Sequence, residues 1–201
     1  MSRFRILQRF AATAFLSCLA GTVAHAECIS PAFISENFGI RLVAADGRIR
    51  VVKYLPNERV SVSIVSSQNR LIYTWIFEEN GLKIVENRFG ADIVKFAYDR
   101  DKVFDLSKPS FSYTRQGSVE GKSRTPPDRL AIRILGKDIL SIAGCTYPVV
   151  VYEETTDNGI PAEGQVTLVY FSTELKVVLR SIEKRADGRN DDYRVVSAKM
   201  E

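Results

Sequence analysis

From Phe38 onward the apolar residues recur at every second position, and clusters of turn-forming residues interrupt the alternation at short intervals. That period is the one at which successive side chains of a pleated strand point to opposite faces. The segment Arg59-Val60-Ser61-Val62-Ser63-Ile64-Val65 shows it most cleanly: Val60, Val62 and Ile64 fall on one face, Ser61 and Ser63 on the other. Asp46-Gly47 sits between the alternating runs 38–43 and 48–54. It predicts a hairpin with a type I′ turn, which needs positive φ at both central residues. Asn80-Gly81 predicts a second tight turn, between 70–77 and 82–86, and Asp157-Asn158-Gly159 and Asp187-Gly188 predict further reversals. Strand patterns recur at 91–98, 128–135, 138–142, 147–154, 165–171, 176–183 and 193–198. Connections this short favour antiparallel neighbours.

The fold class that follows is all-β with minor α: one large, curved antiparallel sheet or half-barrel. A short N-terminal helix is expected over 30–36, with Ser30 as N-cap and Pro31 at the first helical position. Phe33 and Ile34 would dock it. Residues 99–127, rich in charge, Gly and Pro, read as the longest irregular region, with only 110–115 as a strand. A sheet this wide needs a cover over its concave face, and the N-terminal helix and the 99–127 segment are the candidates.

The first 26 residues have a different character. Arg3, Arg5 and Arg9 form a positive start, residues 10–20 are apolar, and Ala24-His25-Ala26 is a small-x-small cleavage site before Glu27. This is the layout of a secretory signal peptide, with cleavage between Ala26 and Glu27. The expected organisation is a signal peptide over 1–26 and a single antiparallel β domain over 27–201. The destination is periplasmic or secreted. The leader holds three of the net +4 charges, so the remainder offers no bulk charge for nucleic acid. It also holds the one histidine, which excludes Ser-His-Asp, Cys-His and His-metal chemistry after cleavage. No later apolar run is long enough for a transmembrane helix. Cys28 and Cys145 remain, and two cysteines in an oxidising compartment predict one disulfide. The alternative, two buried thiols, turns on a separation that sequence does not give.

Other chemistry finds little support. The acid pairs Glu78/Glu79, Glu153/Glu154 and Asp191/Asp192 are neighbours on strands, so each pair points to opposite faces and reads as solvated. Asp99, Asp101 and Asp105 offer oxygen ligands without the spacing of a calcium loop. Arg115, Lys122, Arg124 and Arg129 read as an exposed basic loop. No catalytic motif, cofactor or metal is expected, and the protein is expected not to be an enzyme. The aromatic set Tyr73, Trp75 and Phe77 shares one face of its strand and is the candidate ligand-binding surface on the concave side.

The C-terminal half carries a further signal. Leu135-Gly136-Lys137 is followed by Ile142-Ala143-Gly144-Cys145, a long strand through Val149-Val150-Val151-Tyr152-Glu153, and Tyr170-Phe171-Ser172-Thr173-Glu174-Leu175 leading into Val177-Val178-Leu179-Arg180-Ser181. In layout this resembles the half-barrel periplasmic lipoprotein carriers of the LolA-like superfamily, over about residues 128–200. The resemblance implies a curved sheet around a hydrophobic hollow that accepts acyl chains or a lipidated partner. The expected function is an exported, non-enzymatic binding or carrier protein for an apolar ligand. The alternative is an envelope protein-protein interaction module with a filled core and no ligand cavity.

Overall fold

The computed structural model describes residues 28–34, 38–99, 104–119, 122–123, 127–157, 165–184 and 188–201. Among these, thirteen strands form one sheet: β1 (Gly39–Ala44), β2 (Ile49–Leu55), β3 (Arg59–Val65), β4 (Leu71–Glu78), β5 (Lys83–Phe89), β6 (Asp92–Tyr98), β7 (Ser110–Val119), β8 (Lys122–Ser123), β9 (Asp128–Ile142), β10 (Cys145–Asp157), β11 (Gln165–Ser172), β12 (Val177–Lys184) and β13 (Asn190–Met200). Every pairing is antiparallel. The two-residue β8 pairs only with the end of β7. The other twelve follow chain order round a ring that β6–β7 and β1–β13 pairing completes. The all-β curved sheet expected from the alternation is present, and it goes on to close. Among the described residues, closure gives every strand of the ring a partner on each side over at least part of its length.

The two faces follow from the register. Ile40, Val52, Val62, Trp75, Asn87, Val94 and Val119 are successive cross-strand partners and face inward. Arg41, Val51, Ser63, Thr74 and Arg88 form an outward row. The inward row is mostly apolar and the outward row mostly polar. No helix among the described residues is long and apolar enough to cross a membrane.

One end of the ring gathers the turns 56–58, 79–82 and 173–176, residues 104–109 and the β9–β10 hairpin tip; the turns 45–48, 66–70 and 90–91 lie at the other. We call the first the capped end. There β9 and β10 outrun their neighbours. β11 reaches only to Val150, so Cys145–Val149 pairs with β9 alone. Leu135 is an extra residue in β9, between Gly136 opposite Val151 and Ile134 opposite Tyr152, and Gly136 takes φ +148°. The bulge bends the hairpin so that Ile142, Cys145, Tyr147 and Val149 join the apolar cluster of Leu42, Val52, Val60, Leu179 and Val195. A second cluster, Tyr113, Leu130, Ile132, Tyr152, Val169 and Phe171, takes in Leu82, Phe104 and Leu106.

Four local expectations need correction. The N-terminal helix is one 3-10 turn, Pro31–Phe33, with the Ser30 hydroxyl accepting from the Ala32 N–H; Ile34 packs on the first cluster. Residues 35–37 lie outside the described set. At Asp46-Gly47 only Gly47 has positive φ, +83°, and its N–H donates to the Ala44 carbonyl. The loop is longer than a two-residue type I′ turn because the Asp46 carboxylate instead accepts the Arg48 N–H. Strand β7 runs to Val119, past the expected 110–115, because β6 and β9 supply partners on both sides. Part of the supposed cover is therefore barrel wall. Gly136 marks a bulge within one strand, not a break between two.

Candidate functional site

The two apolar clusters leave a cavity of about 430 Å³ inside the barrel. Strand β4 places Trp75 and Phe77 in its wall because they pair with inward Val62 and Val60. Tyr73 is one step further from the capped end, its ring 4.8 Å from that of Trp75. It lines a recess of about 300 Å³ with Trp75, Asn87, Phe89, Asp92 and Val94. Trp75 and Asn87 thus border both spaces. Of the candidate set, two residues line the main cavity and the third its neighbour.

The wall differs along its length. Toward the capped end it is Phe77, Leu82, Ile84, Phe104, Tyr113, Tyr152, Val169 and Val177. At the capped end itself the turn 79–82 meets the turn 173–176 so closely that a Cβ on Gly81 would lie 2.1 Å from the Lys176 carbonyl oxygen. The Tyr54 hydroxyl donates to the Leu175 carbonyl at 2.8 Å, and the Phe104 N–H donates to Glu79 at 3.0 Å. Glu79 is therefore tied into the cap and not simply solvated.

The half away from the cap contains the polar groups: Arg50, Asn87, Arg115, Glu154 and Ser181. Arg115 bonds Asp128 at 2.8 Å and lies over the Phe96 ring. Burial pulls its pKa down, but the hydrogen bond and charge of Asp128 outweigh this and the net shift is upward. Arg115 is thus an interior residue, not part of an exposed basic loop. Glu154 corrects the reading of its acid pair. Glu153 faces out and meets Arg133 at 3.1 Å, while Glu154 faces the cavity. Burial raises the Glu154 carboxyl above the ordinary range, and Arg115 offsets this only in part. Asp191 and Asp192 pair with Arg48 and Arg180.

Arg50 went unremarked in sequence because it alternates correctly within a basic-apolar strand. In the barrel it is inward, flanked by Leu42 and Ile64. Its guanidinium lies 3.5 Å from the centroid of the Tyr193 ring and 5.9 Å from that of Trp75. No carboxylate pairs with it among the described residues, and its Nε is buried without a hydrogen-bond partner. The Asn87 amide oxygen and the Tyr193 hydroxyl are likewise buried and unpartnered.

The Cys28–Cys145 disulfide is formed, with a Cα separation of 5.5 Å. It ties the segment before β1 to the hairpin tip, and the Ile29 N–H donates to the Tyr147 hydroxyl beside it. Ala26, Glu27 and Asp101 lie outside the described residues, as does Arg124. No group of three His, Cys, Asp or Glu that could hold a metal ion occurs among the described residues.

Fold and cavity together define a class: an up-and-down antiparallel β-barrel with an apolar interior and a charged inner wall on one side. No family model and no curated protein matches the chain. Among solved structures it is similar to the hypothetical lipoprotein YmcC of Escherichia coli, with 13% identity, coverage of 80% of this chain and 84% of that one, and a TM-score of 0.48. A Bacteroides fragilis protein described as exported, with a YmcC-like fold, has 9% identity, coverage of 82% and 96%, and a TM-score of 0.46. At such identities the likeness extends to no individual residue.

Proposed function

We propose that this is an exported, non-enzymatic binding or carrier protein that takes an apolar ligand, or the acyl part of a lipidated partner, into the barrel. The observation that carries the reading is the cavity of about 430 Å³ walled by Trp75, Phe77, Phe104, Tyr152 and Val177. Its size lies in the range of small-molecule sites, and apolar burial there provides the binding free energy. Its place of work is the periplasm or the cell exterior. The signal-peptide layout of residues 1–26 and the cross-link between Cys28 and Cys145 support this. Residues 27–201 act as one β domain after cleavage. The alternative, an envelope interaction module, requires a filled interior, and the cavity is what favours the carrier. A hydrolase reading would need a second carboxylate free beside Glu154; the acid that couples to it, Asp128, is bound to Arg115.

Native mass spectrometry of protein purified from the cell envelope tests the proposal. Lipid should co-purify with the wild type and be lost from a variant in which Val178, part of the same wall, is enlarged to fill the cavity (Val178→Phe). Lipid-free wild-type protein, or equal retention by the variant, would overturn it.

A further inference from the structure

Among the described residues, no carboxylate pairs directly with Arg50. In the inner wall Arg115 is matched by Asp128, and burial holds Glu154 toward its neutral form. The Tyr193 and Trp75 rings attract the Arg50 guanidinium through their faces, but a ring face neither accepts its full set of N–H donors nor cancels its charge. Its buried Nε stays unpartnered, and Asn87, across the Trp75 strand, brings a second unpartnered polar atom to the same half of the cavity. A buried charge is normally paired or hydrogen-bonded. Among the described residues no carboxylate supplies that pairing group, which leaves room for one brought by a ligand.

The rest of the cavity says what that group is attached to. Arg50 and Asn87 lie in the half away from the cap, and the wall beyond Trp75 toward the cap becomes Phe77, Ile84, Tyr152 and Val177. We propose that the cavity binds an anionic amphiphile, with its carboxylate or phosphate head on Arg50 and its acyl chain running toward the capped end. This rests on the carrier reading above and narrows its ligand class. The Arg50 fork suits a two-oxygen anion, which would replace missing hydrogen bonds and supply the missing charge together.

The chain has one tryptophan, Trp75, which lines this cavity and the recess beside it, so its emission reports on ligand entering the barrel there. Titrating the purified protein with dodecanoate, dodecyl phosphate and dodecan-1-ol compares equal tails with different heads. At least one anion should bind about tenfold or more tighter than the alcohol, and the tighter of the two identifies the head. Arg50→Met should bring anion and alcohol to within about twofold of each other; Arg50→Lys should retain part of the preference. If alcohol and both anions bind equally to the wild type, or Arg50→Met keeps the preference, the head-group inference fails and the carrier reading stands. If none of the three binds, the carrier reading itself fails. The wild-type comparison decides the matter even if a variant does not fold.

Discussion

At the scale of single residues, Glu154 and Gly81 show how position overrides residue type. Glu153 and Glu154 are chemically alike, yet one meets Arg133 at the surface and the other faces an apolar hollow. Glu154 has its folded-state pKa raised above its ordinary value of 4.5. Between those two values the native protein binds more protons than the unfolded chain, so stability falls as pH rises through that window. Glu154→Gln removes this dependence. In urea denaturation the variant should match the wild type below pH 4.5 and become the more stable of the two as pH rises above it. Gly81 has φ +89°, and a side chain there would strike the Lys176 backbone. Gly81→Ala should cost about 2–4 kcal/mol in the same assay, since backbone strain and overpacking both contribute.

At the scale of elements, the β9–β10 hairpin is a wall for half its length and a cap for the rest. The bulge at Leu135 and Gly136 makes the difference, because it bends a strand pair that would otherwise project into solvent. The disulfide fastens this cap to the segment before β1 and closes a loop across a sequence separation of 117. In the chain-entropy account, a loop of that size stabilises the folded state by about 4–5 kcal/mol. A Cys28→Ser, Cys145→Ser double variant should lose stability on that order in chemical denaturation, and reduction of the wild type should produce the same loss. A loss below about 1 kcal/mol would show that the Ile29–Tyr147 contact and the apolar cluster hold the cap without the bond.

At the scale of the whole molecule, the central fact is closure. An open half-barrel would leave one edge of β6 and one of β7 without partners. In the ring, Val94–Tyr98 pairs with Arg115–Val119, and the same β6 residues up to Lys95 also pair with β5. Hydrogen exchange should therefore find the amides of Val94–Tyr98 and Arg115–Val119 that point into the β6–β7 seam protected to about the same degree as those of β2 and β3. Fast exchange of those seam amides would indicate an open ring. Closure also decides what kind of site is available. A concave sheet offers a surface, whereas this barrel offers a partly open interior cavity in which groups such as Arg50 and Glu154 are screened from water.

Period-two alternation is a local property, so the sequence determined the strands, most of the turns and the antiparallel pairing. It also determined which residues share a face: Tyr73, Trp75 and Phe77 stand together by parity alone. Parity does not say which face is inward, and this is why Glu154 and Arg50 looked ordinary. The length of β7, the bend at Gly136 and the closing of the ring were equally out of reach, because each depends on partners far away in the chain. The same holds for the unmatched charge at Arg50. Its isolation is a fact about everything that surrounds it, and only packing the twelve strands into a ring brings that surrounding into being.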